Sequence, residues 1–233
     1  MTKRALIAAV ALTAVFTPQA GAVARGVDVA DGQYRFNARL TSGPTQVCTG
    51  ALIGAKWVAT ALHCMASGEF GEAVIGATTS DGAGGQRRRV VSYTGSDQAD
   101  FAVAELDRPA EGITPLLVGS TAPKPGDVVR LVGWGKTGGT EVAKRLQTGQ
   151  FVVDRVDEWV LGVRGWGPNP NTSACASDSG GPYFAERPDG TAVLVSVENS
   201  GPLCPHSELE TTSRVDPHAK WVGQLINKGA TDR

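Results

Sequence analysis

The chain has 233 residues, enough for one or two domains with cores of their own. Its formal net charge of −1 argues against a broad basic face for nucleic acid. Thirty glycines and 13 prolines fit a chain with many turns.

The N-terminus reads MTKRALIAAVALTAVFTPQAGAVARG. Lys3 and Arg4 precede an uncharged, mostly apolar run from Ala5 to Phe16, and both Ala20-Gly21-Ala22 and Ala22-Val23-Ala24 fit a small-residue cleavage pattern. This order predicts a secretory signal peptide over residues 1–22. A run of about 12 residues, at ~1.5 Å each, is too short for a bilayer about 30 Å thick. No later run reaches membrane length, so no membrane contact is expected once the signal is removed. Export predicts an oxidising compartment, which suits the four cysteines Cys48, Cys64, Cys175 and Cys204. They allow three pairings. Their wide spacing, with no C-x-x-C pair, argues against zinc.

Short alternating or apolar runs follow at 34–40, 56–62, 72–77, 100–106, 127–134, 150–156 and 192–197. Turn clusters such as TSGPT, SDGAGG, KPGD and GPNPN separate them. This pattern predicts an all-β barrel or sandwich. The Pro/Gly-rich stretch 108–127 divides the β region into two units. In DPHAKWVGQLINKG, Trp221, Val222, Leu225 and Ile226 share one helical face, behind Pro217 and ahead of Gly229. The expected organisation is a signal peptide (1–22), β units at 23–120 and 121–215, and a helix with its tail at 216–233.

Three residues stand out for chemistry. His63 lies in TALHC, Asp100 opens DFAVAEL, and Ser179 lies in SDSGGP. Taken singly, each has a bland reading: a satisfied core histidine, a solvated turn acid, an idle polar turn. A serine hydroxyl needs an adjacent base to attack at neutral pH, and imidazole suits that task. An acid must then orient the imidazole and stabilise its charged form.

The order His…Asp…Ser in these three contexts resembles the trypsin/chymotrypsin family of serine proteases, in its secreted bacterial form. GWGKT (133–137) and LVSV (194–197) extend the resemblance over nearly all of the chain beyond the signal. It implies two antiparallel β-barrels with the active site in the cleft between them, and a short C-terminal helix. It implies Ser179 as nucleophile, His63 as general base and Asp100 as its orienting acid. Asp97 is the nearest competitor, but Asp100 directly starts the apolar strand. The main-chain N–H groups of Ser177 and Ser179 would form the oxyanion hole. Ser177 departs from the family's glycine, so strain is expected there if φ must be positive. Cys48–Cys64 would staple the histidine loop, and Cys175–Cys204 the serine loop. A new N-terminal amine at Val23 would pair with Asp178 to switch the enzyme on.

Ser173 matches the floor of the substrate pocket, where trypsin-type enzymes carry aspartate, and this implies a non-trypsin specificity. Ser196 would line the cleft. Glu198 and Glu210 fall near pocket-wall positions, either accepting a basic side chain or standing as solvated rim charges. The partners implied are protein or peptide substrates and proteinaceous protease inhibitors, with no nucleic acid. The protein is expected to be extracellular and monomeric, with no cofactor and no metal. The main rival is a catalytically weak or inactive homologue that binds proteins through the same cleft, although all three triad residues are present. An α/β-hydrolase is excluded, because its G-x-S-x-G elbow and Ser…Asp…His order are both missing.

Overall fold

The structure, a computed structural model, describes residues 22–43, 46–66, 71–136 and 142–231. Nearly all of the expected signal peptide, residues 1–21, lies outside them.

Two closed six-stranded barrels form the molecule. The first contains β2 (Asn37–Ser42), β3 (Gln46–Gly54), β4 (Trp57–Thr60), β5 (Glu72–Ile75), β6 (Gln86–Gly95) and β7 (Ala102–Leu106). Its strands close in the order β2-β3-β4-β7-β6-β5. The second contains β9 (Val128–Gly133), β10 (Gln147–Val156), β11 (Val160–Gly167), β12 (Pro182–Glu186), β13 (Ala192–Ser200) and β14 (Glu210–Arg214). It closes because β9 pairs with both β10 and β12.

Side chains on alternate positions fill each barrel. Leu40, Leu52, Val58, Ile75 and Phe101 pack the first, and Leu131, Phe151, Val153, Leu161 and Tyr183 the second. Each large apolar side chain contributes about 1.5–3 kcal/mol on burial. Closure also removes the exposed strand edges that an open sheet would leave.

Two short strands lie outside the rings. β1 (Val27–Asp28) pairs with β10, so the N-terminal segment joins the second barrel rather than the first. β8 (Leu117–Val118), in the expected linker, pairs parallel with β13. The C-terminal helix α1 (Ala219–Thr231) follows a 3₁₀ turn at Asp216–His218. It continues past Gly229, where the sequence pattern predicted a stop. The expected face is the packed one: Val222 is buried, and Trp221, Leu225 and Ile226 pack on the first barrel's core. His218 stacks between Phe101 and Trp159, at ring distances of 5.4 and 5.5 Å.

Candidate active site

Strand pairing brings His63 and Asp100 together. β4 and β7 are antiparallel neighbours, with Thr60 opposite Ala102. The residues just after β4 and just before β7 therefore emerge at the same barrel end. A 3₁₀ turn at Leu62–Cys64 carries His63, and the Cys48–Cys64 disulfide ties that turn back to β3. The His63 Nδ1 lies 2.6 Å from Asp100 Oδ2, and the His63 main-chain N–H donates to Asp100 Oδ1 at 2.8 Å. Burial opposes ionisation of Asp100. Hydrogen bonds from the His63 ring and the His63 and Leu62 main chain outweigh it and hold the carboxyl below its usual range. Asp97 borders the same shallow recess as His63 and Asp100 but makes no bond to the ring.

Ser179 is half-buried, and its main chain lies against the Cys64 that follows His63. Its carbonyl accepts from the Thr49 N–H at 2.9 Å and touches the Cys64 sulfur at 3.7 Å. No hydrogen bond joins its hydroxyl to His63; such bonds are commonly loose before substrate binds. Ser177 has φ of +78°, the left-handed region in which serine is uncommon. Among the described residues, neither the Ser177 nor the Ser179 N–H has a protein acceptor. Two donors are therefore free to meet an incoming anion.

The second disulfide joins Cys175 to Cys204, the expected pairing. The sulfurs of Cys48 and Cys64 come within metal-ligand distance of His63, but they are bonded to one another and offer no thiolates.

A cavity of about 470 Å³ opens beside Ser179, with Lys136, Ala176, Glu198, Asn199, Gly201 and Glu210 among its lining residues. Glu198 and Glu210 are only 3% and 1% exposed, so neither is a solvated rim charge. Burial raises the Glu198 carboxyl well above its usual range, and the nearby Glu210 raises it further. The Tyr183 hydroxyl donates to Glu198 Oε2 at 2.9 Å. Burial pushes Glu210 up to about 8, although the Ala174 N–H donates to its Oε1 at 2.7 Å. His206 Nε2 lies 3.2 Å from the same oxygen without hydrogen-bond geometry. Burial holds His206 below its usual value, so the two form a contact rather than an ion pair. Glu210 Oε2 is buried without a partner. A Cβ on Gly201 would lie 1.9 Å from that oxygen, so only glycine lets the loop approach so closely.

Two expected pocket residues are placed elsewhere. Ser196 is fully buried and its Oγ accepts from Thr212 Oγ1 at 2.8 Å. It lies two residues deeper on the strand face that carries Glu198. The stretch bordering the cavity is Glu198–Gly201, next to an irregular pairing of β13 with β14. Ser173 is also fully buried, exchanging main-chain bonds with Ala24 while its Oγ accepts from the His206 N–H at 3.2 Å. It does not border the cavity, and Glu210 supplies the carboxylate that does.

Asp178 is completely buried and receives N–H groups from Gly135 at 2.7 Å and Cys175 at 2.8 Å. Burial nevertheless raises it well above the usual carboxylate range, and Glu210 adds to the shift. Among the described residues, no Lys or Arg pairs with it. Ala22 and Val23 are buried in the same region. A Cβ on Gly135 would sit 2.4 Å from Asp178 Oδ2 and 2.6 Å from the Ala22 carbonyl. The Val23 segment and Asp178 thus share one enclosed space.

Sequence reasoning missed three residues. Ser213 Oγ donates to the Asp100 carbonyl at 3.0 Å, and Asn199 Nδ2 donates to Ser213 Oγ at 2.9 Å. Ser213 thus reaches from the second barrel to hold the Asp100 main chain, and Asn199 orients Ser213. Thr49, whose hydroxyl donates to the Ser177 carbonyl, is the third. None lies in a motif, so only strand register reveals them.

The trypsin family model matches residues 23–222. Serine protease SP24D of Anopheles gambiae is 27% identical, over 90% of this chain and 83% of its own. Beta-fibrinogenase mucrofibrase-5 of Protobothrops mucrosquamatus is 34% identical, over 79% of both chains. Among solved structures, neuropsin, a serine protease of mouse brain, superposes with a TM-score of 0.72. It covers 86% of this chain and 98% of its own, and at 18% identity it speaks to the fold alone. With the family match spanning both barrels, the chain belongs to the trypsin family of serine proteases.

Proposed function

We propose that this protein is a secreted serine endopeptidase whose Ser179, His63 and Asp100 act as a catalytic triad. The observation that carries this reading is the two-point bond of His63 to Asp100, with Ser179 anchored alongside. Ser179 Oγ attacks the scissile carbonyl carbon and its proton passes to His63 Nε2. The carbonyl oxygen becomes negative and takes the Ser177 and Ser179 N–H groups. The C–N bond then breaks, His63 returns the proton to the leaving amine, and an acyl-Ser179 ester remains. Water, activated by His63, hydrolyses that ester and restores the hydroxyl.

The cavity beside Ser179 receives the side chain preceding the cut bond. Two buried carboxylates, Glu198 and Glu210, favour lysine or arginine there, entering against the walls rather than reaching Ser173. A cation would offset the cost of burying their charge. This replaces the non-trypsin preference expected from Ser173 alone.

Signal cleavage after Ala22 would free the Val23 amine beside Asp178, and this pairing completes the active form. Cleavage after Ala24 would instead remove Val23 from the second core, where it is buried. The organisation that follows is a signal peptide at 1–22, a first barrel to residue 120, a second to 215, and the helix with its tail.

Sulfonyl fluoride labelling, with Ser179→Ala as control, tests the chemistry. A peptide library varied before the cut bond tests the pocket. Stoichiometric labelling of Ser179 and cleavage after lysine or arginine are expected. A folded protein that takes no label would be a binding module instead, and cleavage confined to apolar residues would end the acidic-pocket reading.

A further inference from the structure

Thr49 sits on β3, in the barrel opposite the serine loop, and is fully buried. It grips that loop twice. Its main-chain N–H donates to the Ser179 carbonyl at 2.9 Å, and its hydroxyl donates to the Ser177 carbonyl at 3.0 Å. The same hydroxyl oxygen accepts from the Trp134 N–H at 3.0 Å. The Thr60 hydroxyl donates to the Thr49 carbonyl at 2.9 Å. A hydroxyl has a single proton to give, so this arrangement leaves it one orientation.

The consequence falls on Ser177. A serine at φ +78° holds a conformation that glycine adopts freely and serine does not. It could relax by turning the peptide that joins it to Ala176, which would swing its N–H away from that of Ser179. That peptide is held at its other end, where the Ala176 carbonyl accepts from the Lys136 N–H at 2.7 Å. The peptide after Ser177, against which any such turn must be made, is tied at both ends. The Ser177 carbonyl is held by Thr49, and the Asp178 N–H donates to the Cys175 carbonyl at 2.9 Å.

We propose that Thr49 is a positioning residue for the oxyanion hole, its hydroxyl keeping the Ser177 N–H aimed alongside that of Ser179. This rests on the reading of Ser179 as nucleophile and of these two N–H groups as the oxyanion donors. The contact matters most in the transition state, where the hole is filled by a negative oxygen.

The test compares Thr49→Val and Thr49→Ser in the secreted protein. It measures kcat, KM, and affinities for a peptide boronic acid and for the cleaved product peptide. The boronate forms a tetrahedral adduct with the serine, whereas the product peptide fills only the cleft. Thr49→Val should lower kcat about tenfold or more with KM within about twofold, and boronate affinity should fall in parallel. Product affinity should hold, and Thr49→Ser should behave like the parent. Unchanged turnover in Thr49→Val, a loss confined to KM, or a Thr49→Ser as impaired as Thr49→Val would overturn the proposal. Thr49→Ala, which adds no bulk, carries the same comparison if the valine variant does not fold. Absence of sulfonyl fluoride labelling in the parent would sink the nucleophile reading itself. Normal labelling with a fully active Thr49→Val would sink the role of Thr49 alone.

Discussion

At the scale of single residues, Ser177 and Glu210 carry the sharpest consequences. Ser177 occupies a left-handed conformation that costs an ordinary residue about 1–2 kcal/mol. Glycine would relieve that cost but add about 0.5–1 kcal/mol of backbone entropy. Ser177→Gly should therefore leave stability nearly unchanged, whereas Ser177→Val, β-branched at positive φ, should lower the urea midpoint clearly. Glu210 acts through pH. Its carboxyl is pushed up to about 8, so it is neutral below that value and charged above it. Preference for lysine or arginine over a neutral residue should rise as pH climbs through about 8, and Glu210→Gln should flatten the rise. The sign for stability is opposite: the neutral buried form is favoured at low pH, and that contribution is lost as pH rises through about 8. His63, Asp100 and Ser179 were legible in the sequence because each sits in a short motif. The two glutamates were legible as positions but not as buried groups, since burial depends on Gly201 packing over Glu210. Ser196 and Glu198 share one strand face that repeats every two residues, and sequence alone does not say how deep along it a cavity begins.

At the scale of elements, alternating apolar runs marked about half of the strands, while β3, β11 and β12, apolar but broken by Gly, Cys or Pro, and the polar β6 and β14 were not picked out. β6, QRRRVVSYTG, has Val90 as its one fully buried residue and earns its strand by pairing with β5 and β7. β14, ETTSR, contains no apolar residue, yet buries Glu210, Thr212 and Ser213. Both depend on neighbours rather than on their own propensity. The C-terminal helix was legible from its spacing, but the stop expected at Gly229 does not occur, because glycine is tolerated in a terminal turn where water can serve the backbone. The Cys48–Cys64 disulfide closes a separation of 16 residues and fixes the turn that carries His63. Replacing both cysteines by serine should cost about 3 kcal/mol by chemical denaturation. Turnover should fall as well, because the imidazole would lose one of its two anchors.

At the scale of the whole molecule, the two barrels are joined by polar contacts that cross the cleft. Ser213, oriented by Asn199, holds the Asp100 main chain from one side, and Thr49 holds the serine loop from the other. In the proposed active form the Val23 amine would be a further link. A protein beginning at Val23 should be more stable than one extended by even a few residues, because its amine can neutralise Asp178. Paired in the fold, that amine would titrate above its unfolded value, so the advantage would fade as pH rises through the raised value, and fade again at low pH once Asp178 takes up a proton. Thermal midpoints of the two forms across pH would check both size and direction.

The ends of the chain are exchanged between the barrels. β1, near the beginning, pairs with β10 of the second barrel, while α1, near the end, packs on the core of the first. Neither half owns all of its parts, and a ribosome must deliver Trp221 to Ile226 before the first core can be covered. Cores that look separable should thus melt as one body. Calorimetric and van't Hoff enthalpies should agree, and two fragments cut near residue 120 should each stay unfolded until mixed.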